Sequence, residues 1–162
     1  MLTKNGLPDK PGIYTLIIKL CEEYTVEVGH LGFKKFLKGF YTYTGSALGM
    51  KGGLSLKGRI GRHLSSEKKK RWHIDYILNP NFARVDAIVY SNTCSRMECL
   101  ISKNIEELDD AVIIMEGFGS SDCHRGCRSH LHYFPSVALG DLVRNVREVY
   151  ERLDLPPHVY LQ

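Results

Sequence analysis

The chain has 162 residues, 43% of them hydrophobic, which is enough apolar surface for one packed core and fits a single domain over 1–162. No apolar run approaches the ~18 residues of a membrane helix, and the opening residues lack the apolar centre of a secretory signal, so a cytoplasmic protein with no membrane partner is expected. A net charge of +4 is too mild to name a partner by itself, and five cysteines, an odd number, argue against a complete disulfide framework.

Taken in chain order, the N-terminal third reads as β structure. A run rich in Ile, Tyr and Thr over 12–20 follows Pro11, and 24–28 alternates apolar with polar residues. A turn at 29–32, a short strand at 33–37 and a run at 40–45 complete an expected antiparallel meander. A helix is expected over 54–64, where Leu56, Ile60 and Leu64 repeat every fourth residue. Arg59 and His63 share the neighbouring face. A second short helix over 71–78 stops at Asn79-Pro80-Asn81, and 83–90 reads as a strand. The stripe Met97, Leu100, Ile101, Ile105 and Leu108 predicts a helix over 95–108, while 112–115 is too short to assign. A glycine-rich loop over 117–126 leads to a strand at 130–134. The last helix, 137–153, is ended by Pro156 and Pro157. With no repeat or linker, the pattern gives an α+β domain.

Charge is uneven. Lys51, Lys57, Arg59, Arg62, Lys68, Lys69, Lys70 and Arg71 share one window with a single acid, Glu67. Such a cluster suits either backbone phosphates or a solvated helix end.

Hydrolysis of a phosphodiester needs an activated water, neutralised phosphoryl oxygens and help for the leaving alkoxide. A phenol serves as base only if its pKa, normally ~10, is lowered. A guanidinium matches the developing charge with two donors, and a divalent cation on one carboxylate supplies the rest. Tyr14, Tyr43, Arg59, His63 and Glu98 could fill these roles. Each also has a plain structural reading: strand tyrosines pack, arginines snorkel, His63 caps a helix end, and Ser95 to Glu98 form a capping box.

The ordered set resembles the GIY-YIG nuclease superfamily, through Gly12-Ile13-Tyr14, Tyr43-Thr44-Gly45, Arg59 with His63, and Glu98. The motif core spans 11–108, followed by a C-terminal loop, strand and helix over 109–162. The segments FYTYTGSAL (40–48), WHIDY (72–76), FGSSDC (118–123) and SHL (129–131) are similar to one mainly archaeal subgroup, in some cases fused to an endonuclease III-type repair enzyme.

The resemblance implies a small antiparallel sheet flanked by helices, and a metal-dependent endonuclease acting on DNA in repair or recombination, with RNA as an open alternative. Tyr14 would be the base or water-positioner and Tyr43 the second phenol. Arg59 would hold the phosphate, His63 would bond the phosphate or Tyr43, and Glu98 would hold Mg²⁺ or Mn²⁺. Ser46, Lys51, Lys57, Arg62, Lys68 to Arg71 and His73 would meet nucleic acid, and a DNA repair enzyme would be the protein partner. The triplets here stand 28 residues apart, wider than one hairpin, so an inserted strand pair is expected. Ser46 stands where many members have lysine. Ser121 or Asp122 would replace a late asparagine.

Two segments stay two-sided. Cys123, Cys127 and His130 are compatible with zinc, but His-x-His is not a common structural spacing, and the favoured reading puts this loop beside the phosphate site with Asp122 as a second metal carboxylate. Trp72 reads as a core anchor and His73 with Asp75 as a buried pair. The alternatives to a nuclease are a non-catalytic nucleic-acid-binding module and a zinc-stabilised structural domain.

Overall fold

At the centre of the fold runs β1 (Gly12–Leu20), nearly every residue of which is buried. A strand covered on both faces carries apolar side chains continuously instead of alternately, which explains its run of Ile and Leu. The structure is a computed structural model that describes residues 6–161; the polar start that argued against a secretory signal lies outside them, at 1–5.

β1 pairs antiparallel with β4 (Gly39–Ala47) on one side and β5 (Ala83–Asn92) on the other. β6 (Leu131–Phe134) extends the sheet beyond β4 and β7 (His158–Leu161) beyond β5, giving the order β6-β4-β1-β5-β7. The meander expected over 12–45 does not form, because β2 (Tyr24–Glu27) and β3 (Phe33–Phe36) make a separate two-stranded sheet. Their alternation of buried or half-buried residues with exposed ones can cover only one face, so they cannot sit inside a sheet covered on both. The hairpin docks through Tyr24, whose hydroxyl donates to the carbonyls of Tyr76 and Ile77 and whose ring stacks on Phe82. It is the strand pair inserted between the two triplets.

Four helices flank the sheet. α1 (Leu56–Leu64) starts at Ser55, whose hydroxyl accepts from the Gly58 N–H. α2 (Ile74–Ile77) is one turn, shorter than the 71–78 expected, because the N–H groups of Arg71 and Trp72 donate to the Asp75 side chain instead of beginning a helix. α3 (Glu98–Glu106) begins after the expected capping box, which does not form: the Ser95 N–H donates to Thr93 Oγ1. α4 (Leu139–Arg152) matches the predicted C-terminal helix, but the chain returns after Pro157 as β7, a strand the sequence reading missed. Val112 makes a lone bridge to Tyr133.

Two cores result. One face of the sheet, with Tyr14, Leu16, Tyr43 and Ile88, packs under Leu56, Ile60, Ile74 and Ile77 of α1 and α2. The other, with Ile13, Ile17, Val89 and Phe134, packs under Ile101 and Ile105 of α3 and Leu142, Val146 and Tyr150 of α4. Of the cysteines, only Cys99 is buried; Cys123 and Cys127 are half-buried, and Cys21 and Cys94 are exposed. No helix among the described residues is long and apolar enough to cross a membrane.

Candidate active site

Antiparallel register puts the two phenols together. Tyr14 lies opposite Gly45 and Leu16 opposite Tyr43, so both tyrosines rise from one face of adjacent strands, two residues out of step. The glycines of the triplets make this possible. A Cβ on Gly45 would stand 2.6 Å from the Tyr14 hydroxyl, and one on Gly12 would collide with the Ser91 carbonyl and Leu56. Any larger residue at 45 would take the space the Tyr14 phenol occupies.

α1 lies across these strands and lowers His63 onto Tyr14, with 2.7 Å between the phenol oxygen and Nε2. His63 was expected to bond the phosphate or Tyr43; it contacts Tyr43 only through ring edges, at 6.2 Å between centroids. Burial pushes the imidazole down to about 3, so the ring is neutral. Burial likewise raises Tyr14 well above an ordinary phenol and Tyr43 to about 12, with Arg59 pulling against it in both. Both phenols are therefore protonated at neutral pH.

One turn back on α1, Arg59 lies over the Trp72 ring at 4.7 Å, and its buried Nε has no hydrogen-bond partner. Arg62 lies over the same indole at 4.2 Å. Its two terminal nitrogens fork onto Asp75 at 2.9 and 2.8 Å, and one also donates to the Lys69 carbonyl. Asp75 thus pairs with Arg62, not with His73. Although burial acts to raise its pKa, the guanidinium and the N–H groups of Arg71 and Trp72 hold it below the ordinary carboxylate value.

Glu98 enters from the opposite side, at the first residue of α3. Freed from capping, it keeps a buried Oε2 with no partner. An unpaired buried carboxylate oxygen costs free energy, so its persistence at a cleft suits a cationic ligand. Tyr14, Tyr43, Arg59, His63, Glu98 and Asp122 all line one cleft of about 260 Å³, together with Ser46, Trp72, Gly119 and His130. All four residues expected to be catalytic, and both expected metal carboxylates, are thereby brought together. Gly119 and His130 bring the glycine-rich loop to the cleft, beside the expected phosphate site, while Thr44 and Trp72 join without having been assigned to it.

The nucleic-acid residues divide. Lys51, Lys57, Lys69, Lys70 and Arg71 are exposed. Arg62 is engaged with Asp75, and the Lys68 ammonium donates to the carbonyls of His63 and Ser65 at the end of α1. His73 Nδ1 accepts from the Gly119 N–H, fixing the glycine-rich loop, and its ring packs on Phe118.

That loop carries a second cluster. Cys99, Cys123, Cys127 and His130 bring their Sγ and imidazole nitrogen atoms within 4.8 Å of one another, a Cys₃His group able to hold a metal ion. Cys99 was absent from the sequence reading because it sits on α3, 24 residues before the Cys-x₃-Cys pair. Only the odd cysteine count hinted at it.

Burial of neutral imidazoles has a consequence for stability. His63 takes up its proton at about 6.5 when unfolded and about 3 when folded, so the unfolded chain binds more protons between those values. Burial lowers His73, His130 and His132 in the same direction, and Asp75 adds to the loss below its ordinary range. Stability is expected to be full above about pH 7 and to fall as pH drops, by up to about 1.4 kcal/mol per pH unit from His63 alone. Urea midpoints from about pH 8 to pH 4 check this; a flat profile contradicts it.

Fold and cleft together define an α+β protein in which a five-stranded antiparallel sheet presents two phenols to an arginine, a histidine and two carboxylates. Residues 13–155 match DUF123, described as a domain of unknown function, and the chain belongs to that family. No curated protein and no solved structure matches it.

Proposed function

We propose that the protein is a divalent-metal-dependent endonuclease of GIY-YIG type that hydrolyses phosphodiester bonds in DNA. The observation that carries this reading is the meeting of Tyr14, Tyr43, Arg59, His63 and Glu98, drawn from four separate elements, in one polar cleft. Structural tyrosines and arginines would have no reason to converge on an unpaired carboxylate.

Glu98, whose Oε2 lacks a partner, would hold Mg²⁺ or Mn²⁺, with Asp122 as second carboxylate. Such a cation supplies Lewis-acid stabilisation of the phosphoryl and leaving oxygens. Arg59, anchored on Trp72 with its Nε unengaged, binds the scissile phosphate and neutralises charge as the phosphorane forms. Tyr14 holds the attacking water through its hydroxyl oxygen. Neutral His63 Nε2, 2.7 Å away, accepts the Tyr14 hydroxyl hydrogen and so turns the phenol oxygen's lone pairs toward that water, whose proton leaves to bulk solvent as its oxygen attacks phosphorus. Tyr43 and Ser46 hydrogen-bond the neighbouring phosphate oxygens. The exposed Lys51, Lys57, Lys69, Lys70 and Arg71 hold the backbone on either side, and a DNA repair enzyme is the natural protein partner.

One observation favours a second reading, a non-catalytic nucleic-acid-binding module. Burial raises both phenols, against the lowered pKa that Tyr14 would need as a base, and so suits them to hydrogen bonding. Incubating branched, damaged and single-stranded DNA, and RNA, with the protein plus Mg²⁺ or Mn²⁺ separates the two. Nicking lost in Tyr14→Phe supports the nuclease. Salt-sensitive binding that survives Glu98→Ala, without cleavage of any substrate, supports the module.

A further inference from the structure

We infer that Cys99, Cys123, Cys127 and His130 bind a structural Zn²⁺ that fastens the glycine-rich loop to the start of α3. The four donors come from three segments: α3, the loop, and the residue before β6. Zinc with Zn–S near 2.3 Å and Zn–N near 2.0 Å spaces its tetrahedral donors about 3.5–3.8 Å apart. Cys99 Sγ stands 3.3 Å from Cys123 Sγ and 3.8 Å from His130 Nε2. Modest contraction or expansion of the cluster around an ion satisfies all four.

The donor chemistry selects the metal. Three thiolates and one imidazole exclude Mg²⁺, which takes oxygen, and four protein ligands leave no open position for substrate, as in structural zinc sites. A disulfide would pair two of the three sulfurs and strand the third. Outer contacts are in place as well: the Arg125 N–H donates to Cys123 Sγ at 3.3 Å. The Lys103 ammonium donates to the Arg125 carbonyl inside the Cys123–Cys127 turn, where it offsets the net negative charge of a zinc trithiolate.

The loop itself calls for such a tie. Between Gly117 and Ser129 it has no helix or strand and buries only one large apolar side chain, Phe118. Because Cys99 follows Glu98 and His130 lines the cleft, the ion would also fix Glu98 relative to Asp122. That consequence rests on the proposed nuclease reading; the metal site does not.

The test begins with the full chain purified and dialysed free of loose metal. Elemental analysis is expected to find one zinc per chain. Refolding the metal-stripped chain with Co²⁺ is expected to give the intense visible absorption of a tetrahedral thiolate site, displaced by one equivalent of Zn²⁺. Cys99→Ser is expected to weaken binding on the order of 100-fold or more, and Cys94→Ser, outside the cluster, to leave it unchanged. Should Cys99→Ser fail to fold, the wild-type cobalt spectrum decides. No zinc with no cobalt signal, affinity unaffected by Cys99→Ser, or a disulfide among these cysteines by mass would each overturn the inference. A chain that holds zinc yet cuts nothing refutes only the nuclease reading; one that cuts without zinc refutes only this one.

Discussion

Replacing Arg59 by alanine is expected to slow DNA cleavage by about 10³-fold while the chain remains folded. Arg59 lines the cleft, makes no ion pair among the described residues, and keeps its buried Nε free. Its position is set by the Trp72 ring, so the guanidinium is preorganised without being consumed by a carboxylate. Charge that develops on the phosphoryl oxygens would meet donors already in place, which makes their loss felt mainly in kcat. Arg59→Lys should recover little, because an ammonium cannot fork onto two oxygens. Single-turnover nicking rates for the two variants, beside circular dichroism to verify folding, check this. A rate within a few-fold of wild type would remove Arg59 from the chemistry.

The largest effect on stability is expected from Asp75→Ala, about 3–5 kcal/mol. The Asp75 carboxylate accepts four hydrogen bonds, two from Arg62 and one each from the Arg71 and Trp72 N–H groups, and is fully buried. Its removal leaves a largely buried guanidinium and two N–H groups without their acceptor. By contrast, the exposed Lys35–Glu23 pair at 2.9 Å should be worth at most about 1 kcal/mol. Urea denaturation of Asp75→Ala and Glu23→Ala compares them directly. Because the same pair pins Lys69 and Trp72, Asp75→Ala should also loosen the stacking of Arg59 and reduce any cleavage below what destabilisation explains. Equal midpoints for Asp75→Ala and wild type would contradict this account of the loop.

What the sequence disclosed follows from which interactions are local. The continuous apolar run of β1, the four-residue spacing in α1 and the stripe in α4 are short-range signals, and those elements appear with small boundary shifts. Arg59 and His63 were legible as neighbours because helix pitch alone brings them to one face. Pairing was less legible. The strand pattern of residues 12–45 reads as a meander, and only the wide gap between the triplets pointed to an inserted pair, since the choice of partner depends on what covers each face. The Ser95 capping box followed local rules and still failed, because Thr93 offered the Ser95 N–H an acceptor first. Asp75 was read as a partner for His73 on proximity in sequence, yet Arg62, 13 residues away, took it. Cys99 shows the limit most plainly: metal-ligand spacing is recognisable within one segment, and its fourth member lay on another element. β7 was invisible behind two prolines, which end a helix but do not forbid an edge strand after them.

Whether the carboxylate of Glu98 serves a cation in the cleft decides between a nuclease and a binding module. The direct measurement is nicking of branched DNA as Mg²⁺ is titrated, with wild type and Glu98→Gln compared at equal DNA occupancy. Cleavage by wild type that saturates with metal, and its loss in the variant with DNA affinity retained, is the predicted result. Cleavage that persists undiminished in Glu98→Gln, or DNA bound by wild type and never cut at any metal concentration, would contradict it.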